Sequence, residues 1–424
     1  MTHDHAPAIT QPSLYRGLVL ALLFVVYAFN FVDRQILGIL VPAIKSELHF
    51  SDTQLGWLGG PAFAVFYTAL GVPIAWLADR TNRAWIVTIA LAVWSLFTAA
   101  CGYATNFAQL FAARLGVGVG EAGGVAPAYS IISDYFPSRQ RARALAAYSL
   151  GIPIGSAVGI VVGGVLASRL DWRFAFLAVG VAGLLAAPLF RALVREPPRG
   201  RYDEPVAASK SSFAATARAL FAKPSYWLLS FGAASSSIMG YGIFFWMPSL
   251  LVRSFRFDVP HVSLYYGAIL LIGEVTGVWL GGVLADRLGD AKRSRYALIP
   301  AAAFGLTLPC YVLGLLSRDP AIAFVLFLPP TALGLVWLGP VITAVQHLAP
   351  AQARTTASAL FLFINNLIGL GLGSLIIGVL SDALRTRFAQ DALRWSIVAG
   401  TGFYLVAGLL MVLASRTLQR DWLA

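Results

Sequence analysis

Apolar residues in this chain come in long runs separated by short polar stretches, and they do not alternate with polar ones. A helix needs about 20 mostly apolar residues to cross the hydrocarbon core of a bilayer. By that rule twelve runs qualify. The first six lie near 16–44, 52–78, 84–103, 107–133, 142–168 and 172–193, the second six near 224–252, 262–285, 296–316, 321–347, 355–380 and 393–414. Run length excludes ordinary strands, and a β-barrel would need alternating segments of about 10 residues. The pattern therefore predicts an all-α membrane protein of twelve transmembrane helices.

One long polar connection interrupts the series. Residues 194–223 contain REPPRGRYDEP and SKSS, the Pro, Gly, Ser and charge content of a linker. It divides the chain into an N-terminal six-helix bundle, 1–193, and a C-terminal one, 224–424, with no role expected for the linker beyond tethering. Residues 1–15 are polar and have no basic segment leading into a short apolar stretch and cleavage site, so no cleaved signal peptide is expected. His3 and His5 read as solvated residues of this tail.

Composition agrees with the pattern. The 424 residues are 58% hydrophobic and 12% charged, with mean hydropathy +0.75. A soluble domain has about twice that charge, and a soluble fold of this composition would expose large apolar patches. Soluble enzymes, disordered chains and disulfide-rich secreted domains are excluded. The net charge of +12 does not imply nucleic acid. With both termini placed inside, about 20 of the 31 Lys and Arg fall in cytoplasmic segments, as the positive-inside rule requires. The expected location is the plasma (inner) membrane with both termini cytoplasmic. Cys101 and Cys310 lie far apart in apolar runs, so neither a disulfide framework nor a metal site is expected. Nothing suggests a cofactor, and a monomer is expected.

An internal repeat gives more. The second span ends WLADRTNR, with Asp79-Arg80, and the eighth ends GGVLADRLGD, with Asp286-Arg287, 207 residues later. One six-span unit thus occurs twice in the same orientation. Parallel repeats with a binding site at their interface near the midplane are a transporter architecture.

These segments resemble the major facilitator superfamily (MFS). Ala75-x-x-x-Asp79-Arg80-x-Asn82-Arg83 is similar to its loop motif between the second and third spans, although Ala75 and Asn82 stand where glycines are usual. The second copy, Gly282-x-x-x-Asp286-Arg287-x-Gly289, keeps both glycines. Arg114-x-x-x-Gly118-x-Gly120 resembles its intramembrane arginine motif, and Gly151-Ile152-Pro153-Ile154-Gly155 with Gly159 its Gly-Pro motif. Within the superfamily, Asn30-Phe31-x-Asp33-Arg34 and Gly118-x-Gly120-Glu121-Ala122 resemble the spinster-like family. The organic anion:cation symporters carry similar segments and are the nearest rival. The resemblance implies the MFS fold, a cavity lined by the first and fourth spans, and an inner gate formed by Asp79, Arg80 and Arg83 with Asp286 and Arg287.

Charged residues within apolar spans are costly and tend to mark a transport route. They are Asp33, Arg34, Arg114, Glu121 and Glu274. Adjacent Asp33 and Arg34 project about 100° apart around a helix. Arg114 and Glu121 are two turns apart on one face. Two acids and two bases sum to zero, so pairing would offset their burial. Desolvation and a nearby guanidinium pull a carboxyl pKa in opposite directions, which suits a proton carrier. Proton coupling is expected, with Asp33 leading, Glu121 second, Arg34 the switchable partner, and Arg114 orienting the cluster or meeting an anionic headgroup. The alternative is a permanently paired structural cluster. Gly151, Gly155 and Gly159, at every fourth residue around Pro153, form a close-packing face.

The second half offers Ser235–Ser237, Tyr241, Phe244, Phe245 and Trp246, then Phe361, Phe363, Asn365 and Asn366. With Asn30, Arg34, Arg114, Glu121 and Glu274, they suggest an amphipathic substrate with an anionic or zwitterionic head and an apolar tail. Spinster-like proteins are associated with lysophospholipids and sphingosine-phosphate-type lipids, so the resemblance implies that class. A proton-coupled organic anion symporter or a multidrug exporter is the runner-up. The expected partners are such a substrate, protons and membrane lipid, without nucleic acid. An embedded enzyme is disfavoured because HExxH, GxSxG and paired intramembrane aspartates are lacking. A channel is disfavoured because a repeated twelve-span plan suits alternating access rather than a pore ring.

Overall fold

The computed structural model describes residues 13–202, 213–288, 292–350 and 353–423, and only the backbone of Phe213, Gly282 and 285–288. The described residues form helices joined by short turns. We number the passes α1 Ser13–Leu48, α2 Asp52–Ala78, α3 Arg83–Cys101, α4 Phe107–Tyr135, α5 Ser138–Arg169 and α6 Trp172–Leu193. In the second half α7 is Pro224–Ser254, α8 Val259–Leu288, α9 Arg295–Leu316 and α10 Pro320–His347. The stretch Arg354–Asp421 would be about 100 Å long as one helix, against a core of about 30 Å. It turns at Ala389, whose φ is 46°, into α11 (354–388) and α12 (392–421). Twelve passes result, as the apolar runs predict.

Local chemistry sets the ends. Ser51 and Gln54 form a reciprocal capping box at the start of α2. Asn82, Asn106 and Asp319 accept backbone N–H groups at the starts of α3, α4 and α10. Large apolar side chains remain exposed around the outside, among them Trp76, Leu185, Trp279 and Val325. Such a surface suits lipid and not water.

Several passes are broken near mid-depth. α4 turns at residues 122–124, α10 at 334–337, and α11 passes through a π-turn at Asn366–Leu370. Breaks at membrane depth are tolerated where the backbone lines a cavity or is buried in protein.

The linker departs from a bare tether at both ends. Arg83 is buried and donates to Asp134 Oδ2 at 2.5 Å, Glu196 Oε1 at 2.6 Å, Ser130 Oγ at 2.7 Å and Pro197 O at 3.1 Å. Arg199 donates to the carbonyls of Ala78 and Thr81, and Gly200 N to Asp134 Oδ1. The first part of the linker is therefore bound to the α2–α3 turn. Toward its other end, Phe213–Phe221 is a short helix, and Lys223 Nζ donates to the carbonyls of Leu348 and Asp421. Desolvation of this ammonium lowers its pKa. Charges that read as linker composition are in part anchors.

Candidate functional site

The halves meet unevenly. At the face away from the termini, α2 packs against α11 and α5 against α8, through glycines. A Cβ at Gly56 would lie 2.7 Å from Ser374 O, at Gly60 2.6 Å from Gly371 O, and at Gly378 2.3 Å from Asp52 O. A polar cluster joins the halves there. Asp52 Oδ2 accepts from Arg253 Nη1 at 2.7 Å and from Ser381 Oγ at 2.6 Å, and its Oδ1 from Arg253 Nη2 at 2.8 Å and from Lys45. Asp382 accepts from the backbone N–H groups of Asp52 and Thr53, capping α2 from the other half. Nearer the terminal face, the segments Val125–Tyr135, Ser138–Ser149, Leu338–His347 and Arg354–Asn365 pack mainly within their own halves. The halves are thus clasped at one face and spread toward the other.

A cavity of about 260 Å³ lies between them. Its wall includes Arg34, Tyr241, Phe244, Glu274, Asn365 and Asn366 from the sequence-predicted set. Trp246 and Phe361 stand outside it. Trp246 is buried and donates to Ser374 O at 2.8 Å, and Phe361 is buried against Trp337. Asn30, Asp33, Arg114 and Glu121 also lie outside the wall, buried behind Arg34. The wall further contains six tyrosines, of which sequence reasoning named only Tyr241. Tyr27, Tyr67, Tyr266, Tyr311 and Tyr404 were overlooked, although a phenol in the middle of an apolar run already signals a polar lining. Ser237 Oγ donates to Asn365 Oδ1 at 2.9 Å, tying α7 to α11 beside the π-turn.

Arg34 is the hub of the first half. Its Nε donates to Glu121 Oε2 at 2.9 Å, and its guanidinium lies 4.8–5.0 Å from the ring centroids of Phe31, Phe63 and Tyr67. Arg114 lies 5.5 Å from the centroid of the same Phe63. Asp33, 1% exposed, has Glu121, Arg114 and Arg34 as charged neighbours, and its Oδ1 has no hydrogen-bond partner. Glu121 Oε1 and Arg114 Nε likewise lack a close partner, while the Asn30 amide lies beside the Glu121 carboxylate and Thr98 beside that of Asp33. Unpaired polar atoms in a buried network are expensive. This cluster is thus held under-satisfied.

Glycines put these groups in place. A Cβ would lie 3.1 Å from Tyr27 at Gly151, 2.4 Å from Ala28 O at Gly155 and 2.9 Å from Val32 at Gly159, so this face of α5, with buried Pro153, lies directly on α1. Gly118 brings α4 onto Phe63 O, and Gly120 brings it onto Trp94 N. On α8, Gly273 and Gly277 flank Glu274 and press against Thr331 and Ala332 just before the α10 break.

At the terminal face, Arg80 donates to Trp76 O at 3.1 Å and lies over the Trp76 ring. Asp79 ends α2 without an ion pair to any described residue. Arg83 binds its own half and the linker. The side chains of Asp286 and Arg287 lie outside the described residues.

Comparison with known proteins gives this arrangement its class. The model of the Major Facilitator Superfamily matches residues 23–374, and the chain belongs to that superfamily. It is a multi-pass membrane transporter and not an enzyme. An MFS-type efflux pump of Mycolicibacterium smegmatis is 31% identical over 94% of this chain and 92% of its own length. Protein spinster homolog 1 of Homo sapiens is 28% identical over 89% of this chain and 75% of its own. A crystal structure of a bacterial homologue of the human lysosomal transporter Spinster, inward-facing and unoccupied, superposes with a TM-score of 0.88 at 30% identity, covering 98% of this chain and all of the other. The chain is a transporter of the spinster family.

Proposed function

We propose that the protein is a proton-coupled secondary transporter working by alternating access, and that it moves an amphipathic, lipid-like molecule such as a lysophospholipid or sphingolipid. The observation that carries this reading is the Arg34–Glu121 pair at the cavity wall, with under-satisfied Asp33 and Arg114 behind it. Arg34 can exchange carboxylate partners as the halves move, so protonation of Asp33 or Glu121 and the shape of the cavity are linked. The aromatic lining supports the apolar part of the substrate. The clasp at one face and the spread at the other support alternating access. We further place the terminal face in the cytoplasm and the chain in the plasma (inner) membrane as a monomer, supported by the Lys and Arg distribution. On that placement the described state opens inward.

The test is lysolipid uptake into proteoliposomes driven by a pH gradient, comparing wild type with Asp33→Asn. Proton coupling predicts that gradient-driven uptake is lost while gradient-free counterflow remains. Unchanged gradient-driven uptake removes Asp33 from the coupling role. A second reading, export of drugs, is favoured by the likeness to the M. smegmatis efflux pump. Including organic cations and hexuronates beside lysolipids in the substrate panel separates the two from an organic anion symporter.

A further inference from the structure

Two charged side chains line the cavity among its described residues, and their situations are opposite. Arg34 is committed. Its Nε donates to Glu121, and three aromatic rings cover its guanidinium. Glu274 has no cation beside it. It is 7% exposed, its Oε2 has no hydrogen-bond partner, Ser156 of α5 is its hydrogen-bonding neighbour, and it forms no ion pair with any described residue. The guanidinium of the cavity has an ionic partner in the protein and the carboxyl group has none.

The surroundings of Glu274 favour the same conclusion. Tyr241 of α7, Tyr266 of α8 and Tyr311 of α9 are its electrostatic neighbours. Tyr311 stacks on Tyr404 of α12 with centroids 6.1 Å apart and planes at 16°. Aromatic faces are negative and attract a cation within about 6 Å of the centroid. Gly273 and Gly277 fix α8 against α10 on either side of the carboxylate, so it cannot readily withdraw. An anionic group, by contrast, would have to share Arg34 with Glu121, whose fully buried carboxylate already offsets the guanidinium charge.

We propose that Glu274, with Tyr241, Tyr266 and Tyr311, is the subsite for a cationic group of the substrate, an amine or a quaternary ammonium. The proposal rests on the transporter reading and deepens it. An amphipathic substrate would be recognised by a positive charge held by the second half, with or without an anionic group elsewhere on the molecule. Of the two roles the sequence offers Arg114, orienting the cluster or meeting an anionic headgroup, its place outside the cavity wall favours the first, and the cationic part of a zwitterionic head falls to Glu274.

Equilibrium binding tests this without any gradient. Hexyltrimethylammonium and hexyl sulfate are titrated calorimetrically into the purified full-length protein, two probes of equal chain length and opposite charge. Wild type should prefer the cation at least tenfold, about 1.4 kcal/mol. Glu274→Gln should remove that preference, and Glu274→Asp should keep most of it. The wild-type comparison needs no variant, so a folding failure of Glu274→Gln leaves the proposal testable. Equal or tighter binding of hexyl sulfate by wild type overturns it. So does unchanged cation binding by Glu274→Gln. If that variant instead loses only pH-driven uptake, Glu274 is a proton carrier and the cation subsite is wrong. Loss of coupling in Asp33→Asn without a change in this binding preference would leave the subsite standing, so the two readings fail separately.

Discussion

The clasp at Asp52 exists only while the face away from the termini is closed, because its partners come from both halves. Replacing Asp52 by Asn keeps an acceptor for Ser381 and removes the charge that holds Lys45 and Arg253 together. A hydrogen bond to a charged group contributes about 1.5–3 kcal/mol. Asp52 holds the Arg253 guanidinium through two such bonds, and its side chain is 5% exposed while that of Arg253 is 22% exposed. Solvent reaches one partner and Asn retains part of the bonding, so we expect a net loss of about 2–3 kcal/mol rather than the full sum. That corresponds to a shift of roughly 30- to 150-fold toward the state in which this face opens. Ser374, 2% exposed at the seam, supplies the reporter. With Cys101 and Cys310 replaced by serine, Ser374→Cys in proteoliposomes should react with a membrane-impermeant maleimide at least tenfold faster in the Asp52→Asn background. Thr81→Cys, exposed at the terminal face, controls for general loosening. An unchanged rate at residue 374 would refute the idea that this cluster holds the face shut.

Arg83→Ala should cost about 3–5 kcal/mol, because it leaves Asp134 and Glu196 without their buried cation. A lower thermal midpoint in detergent, with faster trypsin cleavage at Arg199, would show it, and an unchanged midpoint would count against the anchor. Gly155→Ala places a Cβ 2.4 Å from Ala28 O and should lower the midpoint by an amount equivalent to about 1–3 kcal/mol. Gly71→Ala meets no atom within 4 Å and should leave it equal or higher. Equal losses for the two would mean that the α1–α5 contact is not special.

The residues explain why some of this was legible in the sequence. Spans are read from run length, and the repeat from Asp79-Arg80 and Asp286-Arg287, because both signals are local. Arg34 and Glu121 were visible as charges inside apolar runs, and the structure joins them directly. The clasp was not visible. Asp52 and Arg253 stand at helix ends 201 residues apart, where charges look like ordinary loop residues. Asp382, which caps α2 from the opposite half, was equally hidden, since nothing near it in the sequence marks its partner. Trp246 and Phe361 were read as lining from type and span. Which way a residue faces depends on helix rotation, which the nearly uniform apolar character of α7 does not fix for Trp246.

The two seams at the closed face differ in kind. Between α5 and α8, Gly164 lies against Ser263 and Gly267 against Val161, a narrow contact of small and apolar groups. Beside the contact of α2 with α11, Asp52 and Asp382 are accompanied by Lys45 of α1 and Arg253 of α7, and Lys45, Asp52, Arg253 and Arg385 line a recess there. Dissolved salt screens exposed charges more than a Debye length apart, about 8 Å at physiological strength, acts less on partly buried contact pairs, and leaves apolar contacts largely untouched. Salt on that side of the membrane therefore reaches the charges around the recess, as far as water does, and not the other seam. The solution at the clasped face becomes a setting for how readily that face opens, independent of what the protein carries.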